Sequence, residues 1–96
     1  MPTYISLMKF TEQGIRNVKD HPKRRENAAK GIESMGGKLL HTYLTMGRYD
    51  IVAIIEAPDD DVAAKFAVIT GMQGNVSTET MRALDEGEFD RLLKSL

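Results

Sequence analysis

The chain has no cysteine among its 96 residues, which excludes disulfides, thiolate zinc sites and a cysteine nucleophile together. It is also short of net charge: 13 Lys and Arg stand against 14 Asp and Glu, a formal −1. A nucleic-acid binder relies on a positive field that this balance does not supply, so no nucleic-acid partner is expected. No segment approaches the roughly 20 consecutive apolar residues that a spanning helix needs. Met1 to Phe10 places polar residues where a signal peptide would carry an unbroken apolar run. No membrane partner is expected, and the expected location is cytoplasmic, a reducing compartment compatible with a cysteine-free chain. The length leaves no room for two cores, so residues 1–96 read as one domain. Hydrophobic residues at 42% and charged residues at 28% suffice for a packed core and exclude disorder.

Against these absences, the punctuation of the chain is clear. Thr3 to Phe10 is rich in β-branched and aromatic residues and ends at Thr11, a good helix N-cap, which predicts a strand followed by helical turns over Glu12 to Lys19. Pro22 lacks a backbone donor and disfavours helix just before it, so a second, longer helix is expected to restart there. Its apolar positions Ala28, Ile32 and Met35 recur at three-four spacing, and Gly36-Gly37 stops it. Two strand-like runs follow, from Lys38 and from Tyr49, separated by Gly47-Arg48 as in a tight hairpin. Pro58 ends the second run, and Asp59 to Asp61 caps a helix facing inward with Val62, Phe66 and Ile69. Asn75 to Leu84 alternates weakly, as an edge strand does, and Phe89, Leu92, Leu93 and Leu96 mark a short C-terminal helix.

The resulting order, βαββαβ and then α, is the α+β ferredoxin-like arrangement: a four-stranded antiparallel sheet with two main helices on one face. A two-residue hairpin pairs Met46 with Tyr49, Leu44 with Ile51 and His41 with Ile54. Leu40, Thr42, Leu44, Met46, Tyr49, Ile51, Ala53 and Ile55 then face the helices. Leu39, His41, Tyr43, Thr45, Asp50, Val52, Ile54 and Glu56 face away. The second set is too apolar for a solvated surface, and such patches mark an interface or a ligand site. In the first strand Ile5 and Leu7 point one way and Tyr4, Met8 and Phe10 the other, so neither side is written for water. The expectation is two sheets packed face to face, a homodimer or a higher oligomer built from dimers.

The hairpin segment LTMGRYDIVAIIEAPDDD carries Gly47, Tyr49 and Asp50, then Pro58-Asp59, and so resembles the GYD domain family, named for Gly-x-Tyr-Asp. Gly14, Gly36-Gly37 and the run GNVSTETMRA, with Gly74, Asn75, Thr78, Glu79 and Thr80, extend the likeness over nearly the whole chain. The resemblance implies a ferredoxin-like subunit of the dimeric α/β-barrel kind. It brings no established activity or cofactor, so it leaves the chemistry open.

Candidate chemistry centres on the face turned from the helices. An imidazole, a phenol and a carboxylate at His41, Tyr43 and Asp50 could move protons around a bound small molecule, with Tyr49 and Glu56 as ligand contacts. His41 is the natural acid-base group, because the unperturbed imidazole pKa of about 6.5 lies near neutrality. This is the catalytic alternative, a cofactor-independent monooxygenase- or isomerase-like enzyme. The competing reading makes these polar residues interface structure, with Asp50 bonded to turn amides and Tyr49 a packing residue. No metal is expected: the two histidines, His21 and His41, lie in separate elements, and only His41, Asp50 and Glu56 could be imagined as ligands. No cofactor is expected either. Gly71 and Gly74 follow a helix rather than precede one, and no G-x-S-x-G elbow is present. The basic run Lys19, Lys23, Arg24, Arg25 and Lys30, with His21, reads as a solvated helix face that could also attract an anion. Met8, Met35, Met46, Met72 and Met81 read as adaptable core filler, or as the lining of a cavity open to an apolar ligand.

Overall fold

The computed structural model describes residues 1–96. Strand β1 (Thr3–Phe10) leads into helix α1 (Glu12–Arg16), a 3-10 turn at Val18–Asp20 and helix α2 (His21–Ser34). Strands β2 (Lys38–Leu44) and β3 (Ile51–Glu56) follow, then helix α3 (Asp60–Met72), strand β4 (Val76–Ala83) and helix α4 (Glu86–Lys94). The strands form one antiparallel sheet in the order β2-β3-β1-β4, which is the ferredoxin-like topology. No helix is long and apolar enough to cross a membrane.

Local chemistry sets the helix boundaries. The Thr11 hydroxyl accepts the Gly14 amide at 3.0 Å and starts α1. That helix ends at Arg16, short of the expected Lys19, because the chain tightens into the 3-10 turn before α2 begins. Pro22 then falls in the first turn of α2, where its missing N–H has no intrahelical partner to lose. Asp59 caps α3 through the Val62 amide at 2.9 Å. A capping box between Asp85 and Glu88 starts α4, the D-x-x-E spacing being legible in the sequence.

The core lies between the sheet and helices α2 and α3, in a cluster of Tyr4, Ile32, Ile55, Ala57, Ala63 and Phe66. The Tyr4 hydroxyl donates to Asp60 Oδ1 at 2.5 Å and so ties β1 to the first turn of α3. Burial and then this bond push the Tyr4 pKa up to about 12. An unfolded tyrosine ionises near pH ~10. Folding therefore draws stability from Tyr4 below pH ~10, and loses it as the pH rises from there towards about 12. Absorbance titration at 295 nm is expected to show one of the three tyrosines ionising last, near pH 12, in wild type and not in Tyr4→Phe.

The hairpin register agrees with the sequence reading over Leu44↔Ile51 and His41↔Ile54, but three details differ. A bulge between Leu39 and His41 places Leu39 opposite Ile55 and against the core, so it belongs to the helix side. The ladder closes before Met46 and Tyr49, so these two do not pair as expected: Thr45 bonds both the Asp50 carbonyl (2.8 Å) and, through its hydroxyl, the Tyr49 carbonyl (2.7 Å). Met46 is left fully exposed, and Leu44 is exposed at the free end of this edge strand. Nor are the methionines all core filler, since Met72 and Met81 are exposed as well.

Candidate functional site

The sheet has a covered face and an open one. Tyr4 and Ser6 of β1 and Ile51, Ala53 and Ile55 of β3 are buried on the helix side. By alternation Ile5, Leu7, Val52 and Ile54 point the other way. The register sets them in rows. Ile5 pairs with Ile54 and Met81, and His41 lies beyond Ile54. Leu7 pairs with Val52 and Glu79, and Tyr43 lies beyond Val52. The centre of the open face is therefore an apolar block of Ile5, Leu7, Val52, Ile54 and Met81. Its rim carries His41 and Tyr43 on one side and Glu79 on the other.

Area points the same way. A compact monomer of this mass exposes about 5,500 Å², whereas this chain exposes 6492 Å². The surplus is of the order of the ~800 Å² that one partner contributes to a standard protein interface. The molecule is also thin, with a shortest extent of 17 Å, as a two-layer slab must be. Helix α4 adds to the surplus: it makes no extended contact with the rest of the fold and leaves Phe89, Leu92 and Leu93 about half exposed.

The structure brings some of the expected site residues together. His41 and Tyr43 stack on the exposed edge strand, ring centroids 6.0 Å apart and planes 22° from parallel. Glu56 is one row away, between Thr3 and Lys38 in the register. Asp50 is two rows away in the other direction, and its groups continue the β1–β3 ladder: its N–H donates to the Met8 carbonyl (2.8 Å), and Oδ2 accepts the Phe10 amide (2.9 Å). Tyr49, expected on the helix side, instead crosses the end of the open face. Its hydroxyl donates to Glu79 Oε2 at 2.6 Å, and Lys9 Nζ lies 5.6 Å from its ring centroid. The Glu79 bond, and then desolvation, hold the Tyr49 phenol above its ordinary pKa. Gly47 makes this loop possible with φ of +124°, a conformation that side chains resist. No three His, Asp or Glu side chains converge as metal ligands would.

His21, which the sequence groups with the basic run, stands at the start of α2. It packs edge-on against Phe10, ring centroids 6.3 Å apart. Burial, and then Arg25 and Arg24, hold its pKa below the ordinary value. The unfolded chain thus binds the proton more tightly. Stability tied to His21 is present above pH ~6.5 and is lost as the pH falls through and below that value. His21→Gln is expected to flatten the fall in melting temperature between about pH 7 and 5, which differential scanning fluorimetry at stepped pH would measure.

An antiparallel sheet in the order β2-β3-β1-β4 with helices on one side defines a ferredoxin-like fold. The chain belongs to the GYD domain family, whose sequence model matches residues 4–93. It is 28% identical, over 98% of its own length and 100% of the other, to the glutamine synthetase and cystathionine beta-lyase binding protein of Thermus thermophilus. Among solved structures it is similar to MtbAldR, with a TM-score of 0.68 and 11% identity. That match covers 88% of this chain and 52% of the other, so the likeness is one of fold.

Proposed function

We propose that this protein is a homodimeric binding protein of the cytoplasm: two copies pair through their open sheet faces into an α/β barrel, and the assembly acts by contacting other proteins. The carrying observation is the block of Ile5, Leu7, Val52, Ile54 and Met81 on a face that no element of the chain covers. A twofold pairing buries the same patch on both copies, which a self-complementary apolar centre with a polar rim satisfies. Contact with other proteins is supported by the relative in Thermus thermophilus, named for binding glutamine synthetase and cystathionine beta-lyase. Helix α4, with its half-exposed Phe89, Leu92 and Leu93, is the element we assign to such contacts.

Acid-base catalysis by His41, with Tyr43 and Asp50 assisting and Tyr49 and Glu56 holding a substrate, is the competing reading. The binding reading is favoured because Asp50 is committed to the Phe10 amide and Tyr49 to Glu79, while His41 has no carboxylate partner to orient it. The absence of native cysteine allows a direct test. A single cysteine at Leu7, on the open face, should be shielded from a maleimide while the copies are paired and label only on dilution, whereas one at the exposed Ala64 of α3 should label at any concentration. Equal labelling of both sites before dilution would contradict the pairing.

A further inference from the structure

A cleft of about 410 Å³ lies on the opposite side of the sheet, between α2 and α3. That volume falls within the ~300–1,000 Å³ usual for small-molecule sites. Its floor and walls are apolar, with Met8, Met35, Leu39, Ile51, Phe66 and Ile69 prominent. Along α2 the lining residues Arg24, Ala28, Gly31 and Met35 fall on one helical stripe. Small side chains in the middle of that stripe hold the cleft open, and a Cβ added at Gly31 would meet nothing within 4 Å.

Charge in the cleft is one-sided. Arg24, Arg25 and Lys65 line it, with His21 beside them, and none of the lining residues is Asp or Glu. None of the three cations takes part in an ion pair, although the whole chain carries a formal −1. Arg24 is held in place by the backbone at the end of α1: Nη2 donates to the Gly14 carbonyl at 3.2 Å and to the Asn17 carbonyl. Its Nη1 is buried and has no acceptor anywhere in the protein. A buried cationic donor left unpaired is costly, and most buried polar groups in native proteins have a partner. Cations of one sign around a low-dielectric cleft also concentrate anions within it.

We propose that this cleft binds a small organic anion with an apolar body, its chain lying on Met8, Met35, Ile51 and Phe66 and its carboxylate or phosphate head paired with the Arg24 guanidinium, whose side chain shifts to bring Nη1 to it, with Arg25 and Lys65 at the mouth. The site is formed within one chain and does not depend on the pairing of open faces. The basic run of α2 thus divides. Arg24 and Arg25 line the cleft, while Lys23 and Lys30 pair with Glu26 on the solvated side.

Titration calorimetry with octanoate, octyl phosphate and uncharged 1-octanol tests this. One octanoate or octyl phosphate is expected per chain, bound at least tenfold more tightly than octanol, and the tighter of the two anions names the head group. Arg24→Met should weaken both anions tenfold or more and leave octanol little changed. Should that variant fail to fold, Gly31→Leu supplies the check: it fills the cleft, should raise the melting temperature and should abolish binding of all three probes. Val52→Asp, on the other face, should bind octanoate as wild type does. Equal affinity for octanoate and octanol, undiminished binding by Gly31→Leu, or loss of binding in Val52→Asp would each overturn the assignment.

Discussion

Replacing Val52 with aspartate is expected to leave the chain folded and to split the proposed dimer into monomers. Val52 pairs with Leu7 at the centre of the open face, and it is its sequence neighbours Ile51 and Ala53 that are buried on the covered side. In a lone subunit the new carboxylate reaches water, so folding is little affected. In the dimer it would sit in a dry apolar layer, and twofold symmetry would place two of them there. An unpaired buried charge costs several kcal/mol even after relaxation. A total of about 4 kcal/mol raises the dissociation constant roughly 1,000-fold. Sedimentation equilibrium, with circular dichroism to confirm the fold, measures this. A Val52→Asp protein that remains dimeric at low micromolar concentration would show that the copies meet elsewhere.

Gly14→Ala is expected to be the most damaging glycine-to-alanine substitution in this chain. A Cβ at Gly14 would stand 1.8 Å from the Asn75 carbonyl oxygen and 2.8 Å from its carbon, both backbone atoms. That carbonyl accepts the Thr11 amide at 3.0 Å, while the Thr11 hydroxyl donates to the Gly74 carbonyl at 2.6 Å. Gln13 Nε2 closes the same junction by donating to Asn75 Oδ1 at 2.9 Å. The start of α1 and the entry to β4 cannot separate without losing these bonds together. A loss of about 4 kcal/mol or more is expected, from a total that for domains of this kind is ~5–15 kcal/mol. Gly31→Ala is the internal control: it sits in a helix with open space around it and should gain up to about 1 kcal/mol. Urea unfolding of the two variants should therefore move in opposite directions, and a Gly14→Ala midpoint near that of wild type would refute the contact.

Much of the fold was legible because its boundaries are written in single residues. Thr11, Pro22, Gly36-Gly37 and Asp59 each act on the backbone locally, and each marks an element end within a residue or two of where it falls. Hairpin register was legible too, because alternation over Ile51 to Glu56 admits one covered face. The bulge was not: Leu39 and Leu40 are identical neighbours, so sliding the strand by one residue leaves the apolar pattern unchanged. Tyr49 escaped for a similar reason, since alternation governs paired residues and the ladder ends before it.

The cleft was out of reach for a different reason. Its existence depends on how far apart α2 and α3 lie on the sheet, a distance no local pattern encodes. Arg24 looked like one more cation in a basic run. Its position on the stripe with Ala28, Gly31 and Met35 was the available signal, because small residues facing a core at three-four spacing leave volume unfilled. The open face, by contrast, was visible from Val52, Ile54 and Tyr43, with Ile5 and Leu7 of β1 in support, although Leu39, read into the same patch, lies on the covered side.

The pairing of those faces is the centre of the account, and a native mass spectrum of the untagged wild-type protein tests it most directly. The predicted species is twice the 10.7 kDa chain, or a multiple of that dimer, persisting at low micromolar concentration. A single species at 10.7 kDa would contradict it, and would leave Ile5, Leu7, Val52 and Ile54 facing water in the working protein.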